Sequence, residues 1–194
     1  GNLITYDASG DPAYVTTGTS GQVLTSGGTG VAPTFQTAAS GGGITEADMW
    51  RLTSSFATSG AFFTTNLSRM TGEGFGKIGT GMSESSGIFS FPSTGVWLIK
   101  YHTCYYSGSN CRFTANEIHT TTNNSTYSEA SWGRGHIGAS GTTYNSDDAD
   151  FIFDVTDVST HKVKFYVQSN SSVTYEGDTG WAKTSFTFIR LGDT

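Results

Sequence analysis

The chain has 194 residues, of which only 13% are charged, and a formal net charge of −6. Its 26 glycines against 3 prolines, with Ser, Thr and Asn supplying polarity, describe short strands joined by many turns rather than charge-patterned helices. No Lys/Arg run occurs, which argues against a phosphate-tracking surface and a nucleic-acid partner, and apolar runs such as Val96 to Ile99 are too short for a membrane-spanning helix. The chain opens on Gly1 rather than Met, so the expectation is a processed product or a piece of a longer one.

Residues 1–43 are dominated by small side chains, with isolated apolar anchors at Leu3, Ile4, Tyr6, Tyr14, Val15, Val23, Leu24 and Phe35. Such a segment buries too little to fold alone, and its anchors predict short strands that pair within an assembly. Ala38 to Gly43, with the run Ser40-Gly41-Gly42-Gly43, reads as a flexible joint. A second unit is expected from residue 44 to 194.

At its start, Ile44 to Trp50 fits either one helical turn, with Thr45 as cap and Asp48 three residues on, or the lead-in to a strand. Beyond it the apolar residues alternate: Phe89 and Phe91; Trp97, Ile99, Tyr101 and Tyr105; Phe151, Phe153 and Val155; Val163, Phe165 and Val167; Phe186 and Phe188. Period two with polar residues between, such as Asp150 and Asp154 or Lys162 and Lys164, predicts half-buried strands in an all-β sandwich or barrel.

Chemistry-bearing residues are sparse. Cys104 and Cys111 flank the turn-like Ser107-Gly108-Ser109-Asn110, which leaves either a disulfide across a hairpin or two free thiols. Asn145, Asp147, Asp148 and Asp150 cluster oxygen ligands of the kind calcium takes, in a stretch read as a loop; the competing reading has the acids cap a turn before the Phe151 strand. His102, His119, His136 and His161 show no zinc spacing. Gly74-Phe75-Gly76-Lys77-Ile78-Gly79 satisfies G-x-G-x-x-G but lacks the strand before and helix after that a dinucleotide site needs, so no cofactor is expected. Tyr127, Trp132 and Tyr144 stand near predicted loops, where they either stack on sugars or close the core or a subunit seam. With no Gly-x-Ser-x-Gly elbow and no Cys/His pair at a catalytic spacing, no catalytic residue is assigned, and the chain is expected not to be an enzyme.

Three stretches carry a resemblance. Gly87-Ile88-Phe89-Ser90-Phe91-Pro92-Ser93-Thr94-Gly95-Val96-Trp97-Leu98-Ile99 and the terminal Ser185-Phe186-Thr187-Phe188-Ile189-Arg190-Leu191 resemble the strand pair and closing strand of complement-globular-head and tumour-necrosis-factor-like jelly rolls. This resemblance spans roughly Trp50 to Leu191 and implies a jelly-roll sandwich that forms a homotrimer. Gly18-Thr19-Ser20-Gly21-Gln22-Val23-Leu24-Thr25-Ser26, followed by Ala32-Pro33-Thr34-Phe35, is similar to a short module of bacteriophage fibres and virion proteins.

Together they imply a trimeric structural protein on the surface of a phage particle. Its amino-terminal stalk would join other virion proteins, and its heads would bind a host-surface glycan or protein. Alternatives are a capsid decoration protein that cements the shell and, further off, a polysaccharide-cleaving depolymerase.

Overall fold

The computed structural model describes residues 1–38, 43–72 and 74–194, and the expected joint lies largely outside them. The chain divides into two units, Gly1–Gly43 and Ile44–Thr194. The first holds two antiparallel hairpins, β1 (Leu3–Tyr6) with β2 (Pro12–Val15) and β3 (Gln22–Thr25) with β4 (Thr34–Thr37). In the first turn Asp7 Oδ1 accepts from the backbone of Ser9 and Asp11, and Gly10 takes a φ of +87°. Val15 is buried, whereas Leu3, Ile4, Tyr6, Tyr14, Val23 and Leu24 are exposed. The anchors thus sit on short strands, which pair with each other inside the chain.

The second unit is all-β. Its front sheet runs in the order β13 (Thr143–Val155), β10 (Gly95–Ser107), β15 (Ser185–Gly192), β5 (Ala47–Leu52) and β7 (Leu67–Arg69), antiparallel throughout. In the back sheet β12 (Ser128–Ile137) pairs with β11 (Cys111–Thr121), which pairs with β14 (Lys162–Tyr175). Next along β14 lie β6 (Phe56–Phe62) and β9 (Ile88–Ser90), and β9 carries β8 (Ser83–Ser85). Pairing of Tyr105 and Tyr106 on β10 with Tyr175 and Thr174 on β14 joins the layers at one end.

Ile44 to Trp50 is the strand alternative, not a helical turn. Asp48 decides this, because strand geometry turns its carboxylate inward, where Arg69 bridges it at 2.9 Å and Trp50 Nε1 and the Met82 amide donate to it at 2.9 and 2.8 Å. A helix there would strand a buried acid and break the ladder between β5 and β15.

Between the sheets lie Trp97, Ile99, Tyr101 and Tyr105 of β10, Val163, Phe165 and Val167 of β14, and Phe186 and Phe188 of β15, all fully buried. Phe165 is central: its ring centroid lies 4.4 Å from Phe186, 5.0 Å from Tyr101 and 5.5 Å from Phe89. Aromatic packing of this kind adds to the burial of apolar area. Replacing Phe165 with Ala is expected to destabilise the unit by about 3–5 kcal/mol, and Phe165→Leu by clearly less. Chemical denaturation checks this through a lowered midpoint at unchanged slope.

Candidate functional site

Strand alternation decides where each predicted site residue goes. Asp147, Asp148 and Asp150 lie within β13, not in a loop, so neighbouring side chains leave by opposite faces. Asp148 and Asp150 point outward and meet the facing residues of β10, with His102 Nδ1 at 2.7 Å and Lys100 Nζ at 2.8 Å. Asp147 points inward. This overturns the calcium-loop expectation: the carboxylates do not converge, and among the described residues no group of three His, Cys, Asp or Glu side chains is placed to hold a metal.

Inward-facing Asp147 belongs to a buried polar chain. Thr114 Oγ1 donates to its carboxylate at 2.6 Å and lies 2.6 Å from the Tyr105 hydroxyl, while Asn116 Nδ2 donates to the carbonyls of Asp147 at 3.0 Å and Tyr101 at 3.2 Å. Burial pushes the Asp147 carboxyl above its ordinary range against the opposing hydrogen bonds from Thr114 and Tyr105, and burial likewise raises the Tyr105 phenol. Strand β12 passes so close that a Cβ on Gly135 would fall 2.2 Å from Asp147 Oδ1, and one on Gly133 1.9 Å from the Asp148 carbonyl. Two glycines two residues apart are therefore required by contact alone.

The disulfide alternative is also overturned, since both thiols are free. Cys111 is buried and directs its thiol to the Phe113 carbonyl, whereas Cys104 shares the outward face of β10 with His102, whose Nε2 is 3.3 Å from its sulfur. Thiols on opposite faces of a layer cannot meet without breaking it. In the Gly74–Gly79 stretch Lys77 Nζ donates to the carbonyls of Gly79 and Thr80, and no helix follows. A recess of about 260 Å³ lined by Phe56, Ala61, Phe62, Phe63, Thr64, Thr65 and Asn66 contains no ionisable side chain.

What remains is two outward sheet faces. On the front, Leu98 faces Ile152, Lys100 faces Asp150, His102 faces Asp148 and Tyr106 faces Tyr144. Ile152 is 59% and Tyr144 64% exposed, and the Tyr106 and Tyr144 rings lie 5.2 Å apart. On the back, one rung crosses four strands as Phe62, Tyr166, Glu117 and Trp132. Arg134 stacks on Trp132 at 3.8 Å, and Lys164 Nζ lies 3.9 Å from the Tyr127 centroid and 4.4 Å from that of Phe62.

No protein-family model matches the chain, and no curated protein does. Solved structures do. Murine APRIL at pH 5.0 matches with a TM-score of 0.57 at 10% identity, over 75% of this chain and 98% of that one. Eiger TNF from S. frugiperda matches with a TM-score of 0.57 at 11% identity, over 76% and 93%. The second unit is a tumour-necrosis-factor-like jelly roll. At these identities the likeness is one of fold.

Tyr127, Trp132 and Tyr144, the aromatics that the sequence sets near loops, do not share one face of this jelly roll. Tyr144 belongs to the front face, Trp132 and Tyr127 to the back, and the Tyr127 hydroxyl is buried with no partner among the described residues. The cations that gather with them are the residues sequence reasoning missed. Trp132-x-Arg134 and Lys162-x-Lys164 are far apart in sequence and look like ordinary exposed positions until β11 sets their strands side by side.

The buried carboxyl sets a pH dependence. Its folded-state pKa is raised, so its contribution to stability is present below about pH 4 and is lost as pH rises through the folded value. The stability of the wild type minus that of Asp147→Asn is expected to fall between pH 4 and pH 7. Urea titrations of both proteins across that range test it; a difference that stays flat or grows contradicts the assignment.

Proposed function

We propose that the chain is a structural protein on the surface of a bacteriophage particle, a homotrimer whose jelly-roll heads project and bind the host surface. The supporting observation is the front face. Leu98 with Ile152 and Tyr106 with Tyr144 put apolar surface on the outward face of the sheet, while the polar residues between them, Lys100 with Asp150 and His102 with Asp148, are already partnered within the chain. A face of that kind suits burial against copies of itself, because the apolar pairs gain from leaving water and the polar residues keep their partners. Trimeric heads then bind with avidity, so that weak single contacts hold a particle on a cell.

The virion assignment rests on the resemblance of Gly18 to Phe35 to phage fibre modules. In its favour, the module folds as the β3–β4 hairpin with Val23 and Leu24 exposed, ready to pair with other virion chains. The same exposed hairpins favour a second reading, a decoration protein that cements the shell.

Particles lacking residues 44–194 separate the two. The host-binding reading expects adsorption to fall by about 100-fold or more, the scale of lost avidity, with shell stability unchanged. Unchanged adsorption in these particles, with a shell that opens at lower temperature only when residues 1–43 are removed as well, would favour the decoration protein instead. Imaging the labelled protein on intact particles gives its location directly.

A further inference from the structure

Four of the ten Lys and Arg residues lie on the back-sheet strands: Arg112 on β11, Arg134 on β12, Lys162 and Lys164 on β14. Among the described residues none of the four has a carboxylate within 4 Å, whereas Arg69, Lys100, Lys183 and Arg190 elsewhere are all in ion pairs. Arg134 and Lys164 rest on aromatic rings instead, with Trp132 still 47% exposed. Carboxylates on this face are few. Glu117 is 8% exposed and bound by His119 at 2.8 Å, and Glu129 stands opposite His119 on β12.

A cation over an aromatic ring keeps its charge available to a second partner, which a salt-bridged cation does not. In a chain of net charge −6, leaving such cations without carboxylate partners concentrates attraction for anions on one face. The aromatic side chains set the class of anion further. Along the rung, Phe62, Tyr166 and the exposed Trp132 offer rings that pack against the C–H face of a sugar, with Glu117 between them held by His119.

We propose that the back face of the head binds an acidic polysaccharide, with Arg134 and Lys164 taking the anionic groups and Trp132 the sugar ring. This rests on the host-binding reading and names its ligand class. The back face is separate from the front face assigned to the seam, so three such faces remain open on a trimer.

The test is calorimetric titration of the full chain with polygalacturonate, with neutral dextran and with inorganic polyphosphate, at low and physiological salt. Polygalacturonate is expected to bind, more weakly as salt rises, dextran not to bind, and polyphosphate to bind at least about tenfold more weakly. Arg134→Glu, Lys164→Glu and Trp132→Ala are each expected to weaken polygalacturonate binding about tenfold, with Lys183→Gln unchanged. Thermal melting confirms that each variant is folded, and the milder Arg134→Gln and Lys164→Gln stand in for any that is not.

Lack of polygalacturonate binding, equal binding of dextran, or equal binding of polyphosphate with no effect of Trp132→Ala would overturn the proposal. The calorimetry does not depend on particle location or adsorption. Binding that holds while adsorption is unaffected by loss of the head would retain this inference and reject the host-attachment role.

Discussion

The register of β10 against β13 is the constraint on which the rest of the head depends. The two strands pair over thirteen consecutive positions, from Gly95 opposite Val155 to Ser107 opposite Thr143. A slip of one residue by β10 would drive Lys100 and His102 into the core and put Trp97 and Tyr101 into water, and a slip by β13 would do the same with Asp148 and Phe153. The core aromatics prevent that slip. Trp97, Ile99 and Tyr101 must face Phe165, Phe186 and Phe188, so the opposite face of the same strand is assigned without any further choice. Charge pairing then follows from register: Lys100 meets Asp150 and His102 meets Asp148 because their neighbours are buried.

The same alternation gives the head two outward faces of different chemistry. The front carries apolar pairs with the Lys100–Asp150 and His102–Asp148 contacts between them, and the back carries cations seated on aromatic rings. Between the layers, Asp147, Thr114, Tyr105 and Asn116 form a polar chain where an apolar cluster would otherwise continue. It fixes β13 against β11, and Gly133 and Gly135 let β12 close over it. A buried polar chain specifies one alignment of its strands more narrowly than apolar packing does, at a cost in desolvation visible in the raised Asp147 carboxyl.

The sheet architecture is legible in the sequence wherever large residues recur at period two, as at Trp97 to Tyr105 and Val163 to Val167, because burial of an aromatic leaves little freedom of register. Legibility fails where polar residues occupy strands. Asn145 to Asp150 reads as a loop by composition, yet every one of its residues pairs with β10, and the turn propensity of Asn and Asp yields to the ladder. Thr45 to Asp48 reads as a helix start until Arg69, twenty-one residues on, claims the Asp48 carboxylate. The Cys104 and Cys111 alternatives differ only in which face each thiol takes, and a turn of unknown register leaves that open. The back-face cations are invisible for a related reason: Arg134 and Lys164 share a face only through β11, and no local pattern announces a neighbour two strands away.

If the front face is the seam of an assembly, the chain has one oligomeric state and a single residue on that face controls it. Sedimentation equilibrium of the full chain, with Ile152→Glu as the comparison, measures this most directly. The account predicts a particle of three times the chain's 20.5 kDa for the wild type and a folded single chain for the variant. A wild-type particle of one chain's mass, or a variant that stays fully assembled, would contradict it.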